Sequence, residues 1–345
     1  MDFVEGVVEA LLKPEAYPHP VGKITLIQTH ISFVFLTGDY VYKVKKPVDF
    51  GFLDFTTLEK RHYYCMEELR VNRPLAGELY LGVVPITRDE SGAIRVEGRG
   101  EVVEYAVKMV QLPQEAIMRI LLQKGEVHPG DIEEIAAKVA RFHAGAPRGA
   151  EVTRWGAYEQ VVKNWVQNFE QTAQLRGKEV DAQEYEALET RVRRFLREEE
   201  ELFRARERAE KIRECHGDLH SGNIFIVRRP GKLYREGIYI FDAIEFFKGF
   251  SCSDVLADVA FLAMDLDFHR RRELSEAFVS AYAEASKESF PGTLLEFYKC
   301  YRAFVRMKVE SFKLFDMHVG EEEKEAARKL VREYFNLACE YASRF

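Results

Sequence analysis

HGDLHSGNIFIV, His216 to Val227, followed by IYIFDAIEF, Ile238 to Phe246, decides the reading of this chain. Asp218 and Asn223 stand five positions apart on a Gly-containing loop that runs into an apolar, strand-like segment, and Asp242 lies in a second such segment. An acid, an amide and an acid in this order suit a phosphoryl-transfer site. One carboxylate orients the attacking hydroxyl; the amide oxygen and the second carboxylate hold Mg²⁺ on nucleotide phosphates. Mg²⁺ takes few protein ligands and keeps its other positions for phosphate and water, so Asn223 and Asp242 suffice.

His216, Asp218 and His220 at alternate positions also read as transition-metal ligands, because imidazole plus carboxylate suits Zn²⁺ or Fe²⁺. A metallohydrolase needs further ligands, and the remaining histidines (19, 30, 62, 128, 143, 269 and 318) are scattered without pairing. The plainest role for His216 and His220 is hydrogen bonding within the loop. Phosphotransfer is the expectation, with a noncatalytic relic of such a site as its rival.

The 345 residues, 47% hydrophobic, are enough for one large two-lobed unit or two ordinary domains. No apolar run reaches the ~18–20 residues of a membrane helix. The N-terminal MDFVEGVVEALLKPEAY reads as an amphipathic helix rather than a signal peptide, so a cytoplasmic protein without membrane partners is expected. Cys65, Cys215, Cys252, Cys300 and Cys339 form no CxxC pair and read as reduced structural thiols, Cys215 as a packing residue beside the key loop. A net charge of -7 argues against a general nucleic-acid binder.

Strands are expected at 23–28, 33–36, 40–46, 80–86, 93–96 and 101–111, with a Gly38-Asp39 hairpin turn. A helix is expected over 55–72, with Pro74 preventing much continuation. Pro113 marks the passage from a β-rich first lobe (1–112) to a helical second lobe (113–345). There, helices are expected over 131–144, with Asp131 as N-cap, and over 155–174. The charged stretch 181–214 carries a helical apolar stripe and reads as a long solvated helix or a helical hairpin. The region from 253 onward is mostly helical.

A nucleotide-using enzyme needs a cation over the phosphates, and no GxxxxGK[ST] loop occurs. The candidate lies in YVYKVKK, where a strand puts Val41, Lys43 and Lys45 on one face. An inward lysine is costly to bury alone. Glu68 on the following helix is its expected partner, Glu67 the alternative, and Lys45 the second choice for the phosphate lysine. The competing reading is a Lys-rich edge strand that discourages aggregation.

With these residues in view, the chain resembles the aminoglycoside phosphotransferase and choline kinase-like family across almost its whole length. HGDLHSGN resembles the family's catalytic loop through His216, Asp218 and Asn223; FDAIEF resembles its metal segment through Asp242. SDVLADVAFLAMDL resembles the helix whose Asp258 braces that loop, and VYKVKKP with CMEEL resembles the lysine–glutamate pair through Lys43 and Glu68. THISFVFLTGDYVYKVKKPVDFGFLDF is similar to a poorly characterised bacterial branch, sometimes fused to a P-loop kinase domain. The resemblance implies an α+β, bilobal protein-kinase-like fold, with a β-rich N-lobe holding one main helix and a mostly helical C-lobe. It implies an ATP- or GTP-dependent, Mg²⁺-requiring phosphotransferase acting on a hydroxyl of a small-molecule acceptor. A nucleotide-binding regulatory pseudokinase and nucleotidyl transfer to a protein are the alternatives. The protein-kinase glycine-rich loop is missing, so Thr29 to Ser32 would cover the phosphates, with Ser32 as a phosphate contact. Adenine contacts would come from backbone near Val110 to Leu112. Ala243 and Ile244 stand where protein kinases carry Phe-Gly, which fits the small-molecule branch. Glu245 is open between a metal-proximal carboxylate and an ion-pair partner. Arg302 and Arg306 are open between a solvated helix face and a role toward substrate or Asp265.

Overall fold

The computed structural model describes residues 3–345, with side chains from residue 6 onward. The helix expected at the N-terminus is α1, Phe3–Leu11; its first two expected residues lie outside the described ones. The chain then forms β1 (Thr25–Gln28), β2 (Ser32–Leu36), β3 (Tyr40–Lys45), α2 (Leu58–Ala76), β4 (Tyr80–Arg88), β5 (Ile94–Val96) and β6 (Glu101–Val110). These strands make one antiparallel six-stranded sheet in the order β1-β2-β3-β6-β4-β5.

Alternation along β3 sends Tyr42 and Val44 to one face, where they pack with Phe35, Val7 and Leu11, and Val41 to the other, where it meets Cys65 and Leu69 of α2. Each enclosed Leu or Val contributes roughly 1.5–3 kcal/mol relative to exposure. Thr57 caps α2, its hydroxyl accepting the Lys60 N–H at 3.3 Å. α2 ends at Ala76, and Pro74 allows little continuation, as expected. Pro74 sits two residues before the end, so only the final turn lacks its bond.

Arg61 and Glu104, 5% and 3% exposed, pair at 2.8 Å between α2 and β6. Arg61 also donates to the carbonyls of Phe55 and Thr56, fixing the entry to α2. Removing one partner strands the other charge, so Arg61→Met is expected to cost about 3–5 kcal/mol. A denaturant titration checks this.

By contacts the chain divides into two compact units, Met1–Leu121 with Gly222–Phe247, and Leu122–Ser221 with Lys248–Phe345. The division falls within α3 (Met118–Lys124) rather than at Pro113. The second unit continues with α4 (Pro129–Gly145), α5 (Ala150–Gly156), α6 (Tyr158–Thr172), α7 (Ala182–Glu198), α8 (Glu200–Arg208) and the short β7 (Ile212–Glu214). Asp131 is the third residue of α4, not its cap: its carboxylate accepts the His128 N–H at 2.8 Å from inside the first turn. The stretch 181–214 breaks at Glu199 into α7 and α8, and Tyr185, Leu188, Val192, Phe195 and Phe203 form the buried stripe.

The chain returns to the first unit for β8 (Ile224–Val227) and β9 (Gly237–Ile240), an antiparallel hairpin with Ile224 opposite Ile240. Phe225, Val227 and Tyr239 of this hairpin join Cys65 and Leu69 in one core. The metal-segment sequence therefore belongs by contacts to the sheet unit. The second unit closes with α9 (Lys248–Ser251), β10 (Cys252–Asp254, paired with β7), α10 (Val255–Phe268), α11 (Arg272–Ser286), α12 (Gly292–Phe315) and α13 (Glu321–Ala342). The architecture is the expected bilobal α+β fold of protein-kinase type. Among the described residues no helix is long and apolar enough to cross a membrane.

Candidate functional site

In the second unit, α10 is buried on every side from Val255 to Leu266, so its acids must find partners. Asp258 and Asp265, seven residues apart, both spend their carboxylates on the 216–221 loop. Asp258 accepts the N–H groups of His216 at 2.8 Å and Gly217 at 2.9 Å, and Asp265 accepts the Ser221 N–H at 2.8 Å. Gly217 has φ +82°, which lets consecutive N–H groups turn toward one carboxylate. Arg302 holds the other side of this turn, donating to the Gly217 carbonyl at 3.0 Å and the Ala257 carbonyl at 3.1 Å. It is neither a solvated helix residue nor a partner of Asp265: only 7% exposed, it grips the loop backbone. Arg306, one turn on, lies 3.5 Å from Glu310.

Asp258 also meets His143 Nε2 at 3.3 Å, and His143 Nδ1 meets the Tyr282 hydroxyl at 2.9 Å. Burial opposes ionisation of Asp258, but the His143 ring, His216 and Arg302 outweigh it and hold its carboxyl below the ordinary range. His143, Cys215 and Asp258 bring three donor atoms within 4.8 Å, in reach of a metal ion. Two backbone N–H groups already occupy Asp258, and burial pushes the Cys215 thiol well above its ordinary pKa. A protonated packing thiol is what this environment favours.

His216 is fully enclosed, and its Nδ1 accepts the Asp218 N–H at 3.2 Å. Its ring shapes the loop from inside. The Asp218 side chain is 36% exposed, and its Oδ2 lies 3.4 Å from His220 Nε2. Burial works against the Asp218 charge; His220, then Arg306 and His216, reverse that and hold its carboxyl below the usual range. Burial likewise opposes the imidazolium of His220, and Asp218 with Asp265 outweighs it, raising the pKa above 6.5.

A raised histidine pKa contributes stability that is fully present below the unfolded value and fades as pH rises through the folded value. The difference in melting temperature between wild type and His220→Gln is therefore expected to shrink as pH rises from about 6.5 upward. Melting curves across that range check this.

In the first unit, Lys43 and Lys45 on β3 share one glutamate. Lys43 Nζ lies 2.8 Å from Glu68 Oε1 and 2.6 Å from Asp242 Oδ1. Lys45 Nζ lies 2.8 Å from Glu68 Oε2 and pairs with Glu245 Oε1. Glu67 instead pairs with Arg70 at 2.9 Å. Burial penalises the charges of Lys43, Lys45, Glu68 and Glu245. For Lys43 the carboxylates of Asp242, Glu68 and Glu245 prevail and hold the ammonium well above the ordinary lysine range. For Glu68 the two lysines prevail and keep the carboxyl low. For Glu245 burial prevails and its pKa is raised.

Asp242 has φ +64°, the left-handed region that Asp and Asn tolerate better than other side-chain-bearing residues. The Tyr80 hydroxyl accepts its N–H at 3.2 Å, and the Asn72 side chain accepts that of Ala243 at 2.8 Å. Sequence reasoning missed Tyr80 and Asn72: one reads as a strand aromatic, the other as a helix polar residue. The backbone carbonyl of Asn223 accepts the Phe241 N–H at 3.0 Å, extending the β8–β9 ladder by one step. Asn223 and Asp242 therefore fall at the same end of that hairpin. An amide and a carboxylate oxygen at one hairpin end are the oxygen-only donor set that Mg²⁺ prefers, and the Asp242 side chain is 44% exposed.

Ser32 is placed differently from a phosphate contact. It is fully buried, its N–H donates to Thr29 Oγ1 at 2.9 Å, and its hydroxyl is enclosed. The N–H groups of Val110 and Gln111 are likewise engaged, by the carbonyls of Leu79 and Asp39. Lys43, Glu68, Asp242 and Asn223 thus belong to the first unit, and His216 and Asp218 to the second.

A sequence model described as the phosphotransferase enzyme family matches residues 64–293, more than half of the chain. An uncharacterized protein of Mycobacterium tuberculosis and another of Mycobacterium bovis are each 33% identical over 316 residues, 91% of this chain. The chain spans 60% of the length of these relatives. Among solved structures, a choline/ethanolamine kinase family protein from Mesorhizobium loti is similar with TM-score 0.50 and 14% identity, over 99% of this chain and 100% of that one. The GDP complex of aminoglycoside 2'-phosphotransferase-IIIa is similar with TM-score 0.51 and 11% identity, over 92% of this chain and 94% of that one. Likenesses at this identity concern the fold.

Proposed function

The chain belongs to the phosphotransferase enzyme family, and from that premise we propose that it moves the terminal phosphate of ATP or GTP to a hydroxyl of a small-molecule acceptor. The observation that carries this reading is the Lys43 ammonium, held by Glu68 at 2.8 Å and Asp242 at 2.6 Å. A lysine kept charged and extended by a buried glutamate, beside an accessible carboxylate, is equipped to meet nucleotide phosphates and their metal. The GDP bound by the similar aminoglycoside enzyme supports keeping GTP beside ATP as donor.

In this reading Lys43 neutralises phosphate charge and Glu68 orients the ammonium. Asn223 and Asp242 would hold Mg²⁺, which supplies charge neutralisation on the transferring phosphates. Asp218 orients the acceptor hydroxyl and accepts its proton late in the reaction. His216, Asp258, Asp265 and Arg302 act through the loop backbone as positioning residues. Positioning and charge neutralisation carry most of the acceleration in this chemistry.

Mass spectrometry of a metabolite pool incubated with the protein and MgATP or MgGTP tests the proposal. It predicts products heavier by one phosphate, formed about 10²–10⁴-fold more slowly with Asp218→Asn. A nucleotide monophosphate attached to a protein would instead establish nucleotidyl transfer. Nucleotide binding without any product from a broad pool would favour the regulatory module.

A further inference from the structure

The second lysine of β3 is not a spare copy of the first. Lys45 has a fully enclosed side chain, whereas that of Lys43 is 13% exposed. Lys45 also lies over the Phe55 ring, 5.1 Å from its centre, in surroundings that leave no path for a phosphate to its ammonium. Its two carboxylate partners are Glu68, already shared with Lys43, and Glu245. The five charges form an unbroken line, Asp242–Lys43–Glu68–Lys45–Glu245, whose two ends lie on one tetrapeptide, DAIE.

We infer that Lys45 and Glu245 are positioning residues, a buried latch that fixes the 242–245 segment to β3 so that Asp242 keeps one orientation when Lys43 releases it. This rests on the phosphotransfer reading of Asp242. A nucleotide and its metal compete with Lys43 for the Asp242 carboxylate and compete with Asp242 for the Lys43 ammonium. Once that contact opens, Asp242 depends on what else restrains its segment. The Tyr80 hydroxyl and Asn72 hold two of its N–H groups, and the Lys45–Glu245 pair holds its far end. Glu245 is 8% exposed, too enclosed to face a phosphate-bound metal in the open as Asp242 does.

The test uses the full chain and the double substitution Lys45→Met with Glu245→Gln. Replacing both buried charges avoids stranding either one, and such replacements are usually tolerated, whereas Lys45→Met alone leaves Glu245 unpaired. Glu68 keeps Lys43. Two readouts apply after thermal unfolding has established that the variant folds. The first is amide hydrogen exchange of residues 241–247 in metal-free protein, expected to quicken in the variant. The second is the Mg²⁺ concentration for half-maximal ADP binding, expected to rise about tenfold, as when outer partners of metal ligands are removed. ADP affinity without Mg²⁺ should stay at the wild-type value. Lys45→Arg with Glu245 intact retains the buried pair, and its exchange should stay as slow as in wild type. Unchanged exchange and an unchanged Mg²⁺ requirement in the folded double variant would overturn the latch. Wild-type ADP binding indifferent to Mg²⁺ would instead overturn the phosphotransfer reading, and the exchange measurement would still decide the latch.

Discussion

Asp218→Asn is expected to lower turnover by about 10²–10⁴-fold, the range a general base contributes, with nucleotide affinity unchanged. Asparagine keeps the shape of the side chain and leaves the N–H of residue 218 on His216 Nδ1. It removes the negative charge and the capacity to take a proton. The neighbourhood is built for the charged form: His220 lies 3.4 Å away, and Arg306 adds a second positive field. The carboxyl is therefore ionised throughout the neutral range, the state required by its proposed role of orienting a hydroxyl and taking its proton late. The proposed nucleotide ligands Lys43, Glu68, Asn223 and Asp242 belong to the other unit, which is why binding should survive. Slow Mg²⁺-dependent hydrolysis of ATP or GTP provides the assay before the acceptor is known. Equal hydrolysis by wild type and Asp218→Asn would refute the assignment.

The parts of this architecture legible in sequence are those written in short-range pattern. Alternation in YVYKVKK puts Lys43 and Lys45 on one face, and the structure brings both to Glu68. Strands 80–86 and 101–111 are visible because β-branched and aromatic residues are bounded by turn residues, and both form in the sheet. What stays hidden depends on contacts between distant residues. Nothing local shows that Arg302 would reach the Gly217 carbonyl, 85 positions away, since a helix arginine usually finds solvent. Asn72 and Tyr80 hold the segment at Asp242 and Ala243 from a helix and a strand whose patterns are explained by packing alone. Ser32 shows the converse. A hydroxyl near a turn suggests a phosphate contact, yet β2 pairing and Thr29 enclose it.

The unit boundary is hidden for a related reason. Proline and composition mark where one pattern gives way to another along the chain, whereas a compact unit is defined by what packs together. Phe225, Val227 and Tyr239 pack with Cys65 and Leu69, so 222–247 returns to the sheet unit despite lying deep in the helical half of the sequence. The consequence for the site is direct. Asn223 and Asp242 flank the same hairpin and share a unit with Lys43, so the residues proposed for metal and phosphate recognition form one jointly supported group.

That grouping makes Asp242→Asn the sharper test of the metal assignment, with an expected loss of Mg²⁺-dependent nucleotide affinity on the order of 100-fold, the upper range for disturbing even an indirect partner of a metal. Asparagine is the informative replacement because residue 242 has φ +64°, a conformation Asn adopts readily, whereas alanine there adds backbone strain of about 1–2 kcal/mol. The Tyr80 hydroxyl can keep the N–H of residue 242, and Lys43 keeps Glu68 at 2.8 Å, so the fold should be retained. What is lost is one full negative charge, leaving two neutral amide oxygens where Mg²⁺ favours at least one carboxylate. Thermal-shift titration with ADP, with and without Mg²⁺, reads the change: wild type should gain melting temperature from Mg²⁺ with ADP, and Asp242→Asn should respond alike in its presence and absence. An equal response of the two proteins to Mg²⁺ with ADP would remove Asp242 from the metal site and leave its contact with Lys43 as an ion pair of purely structural value.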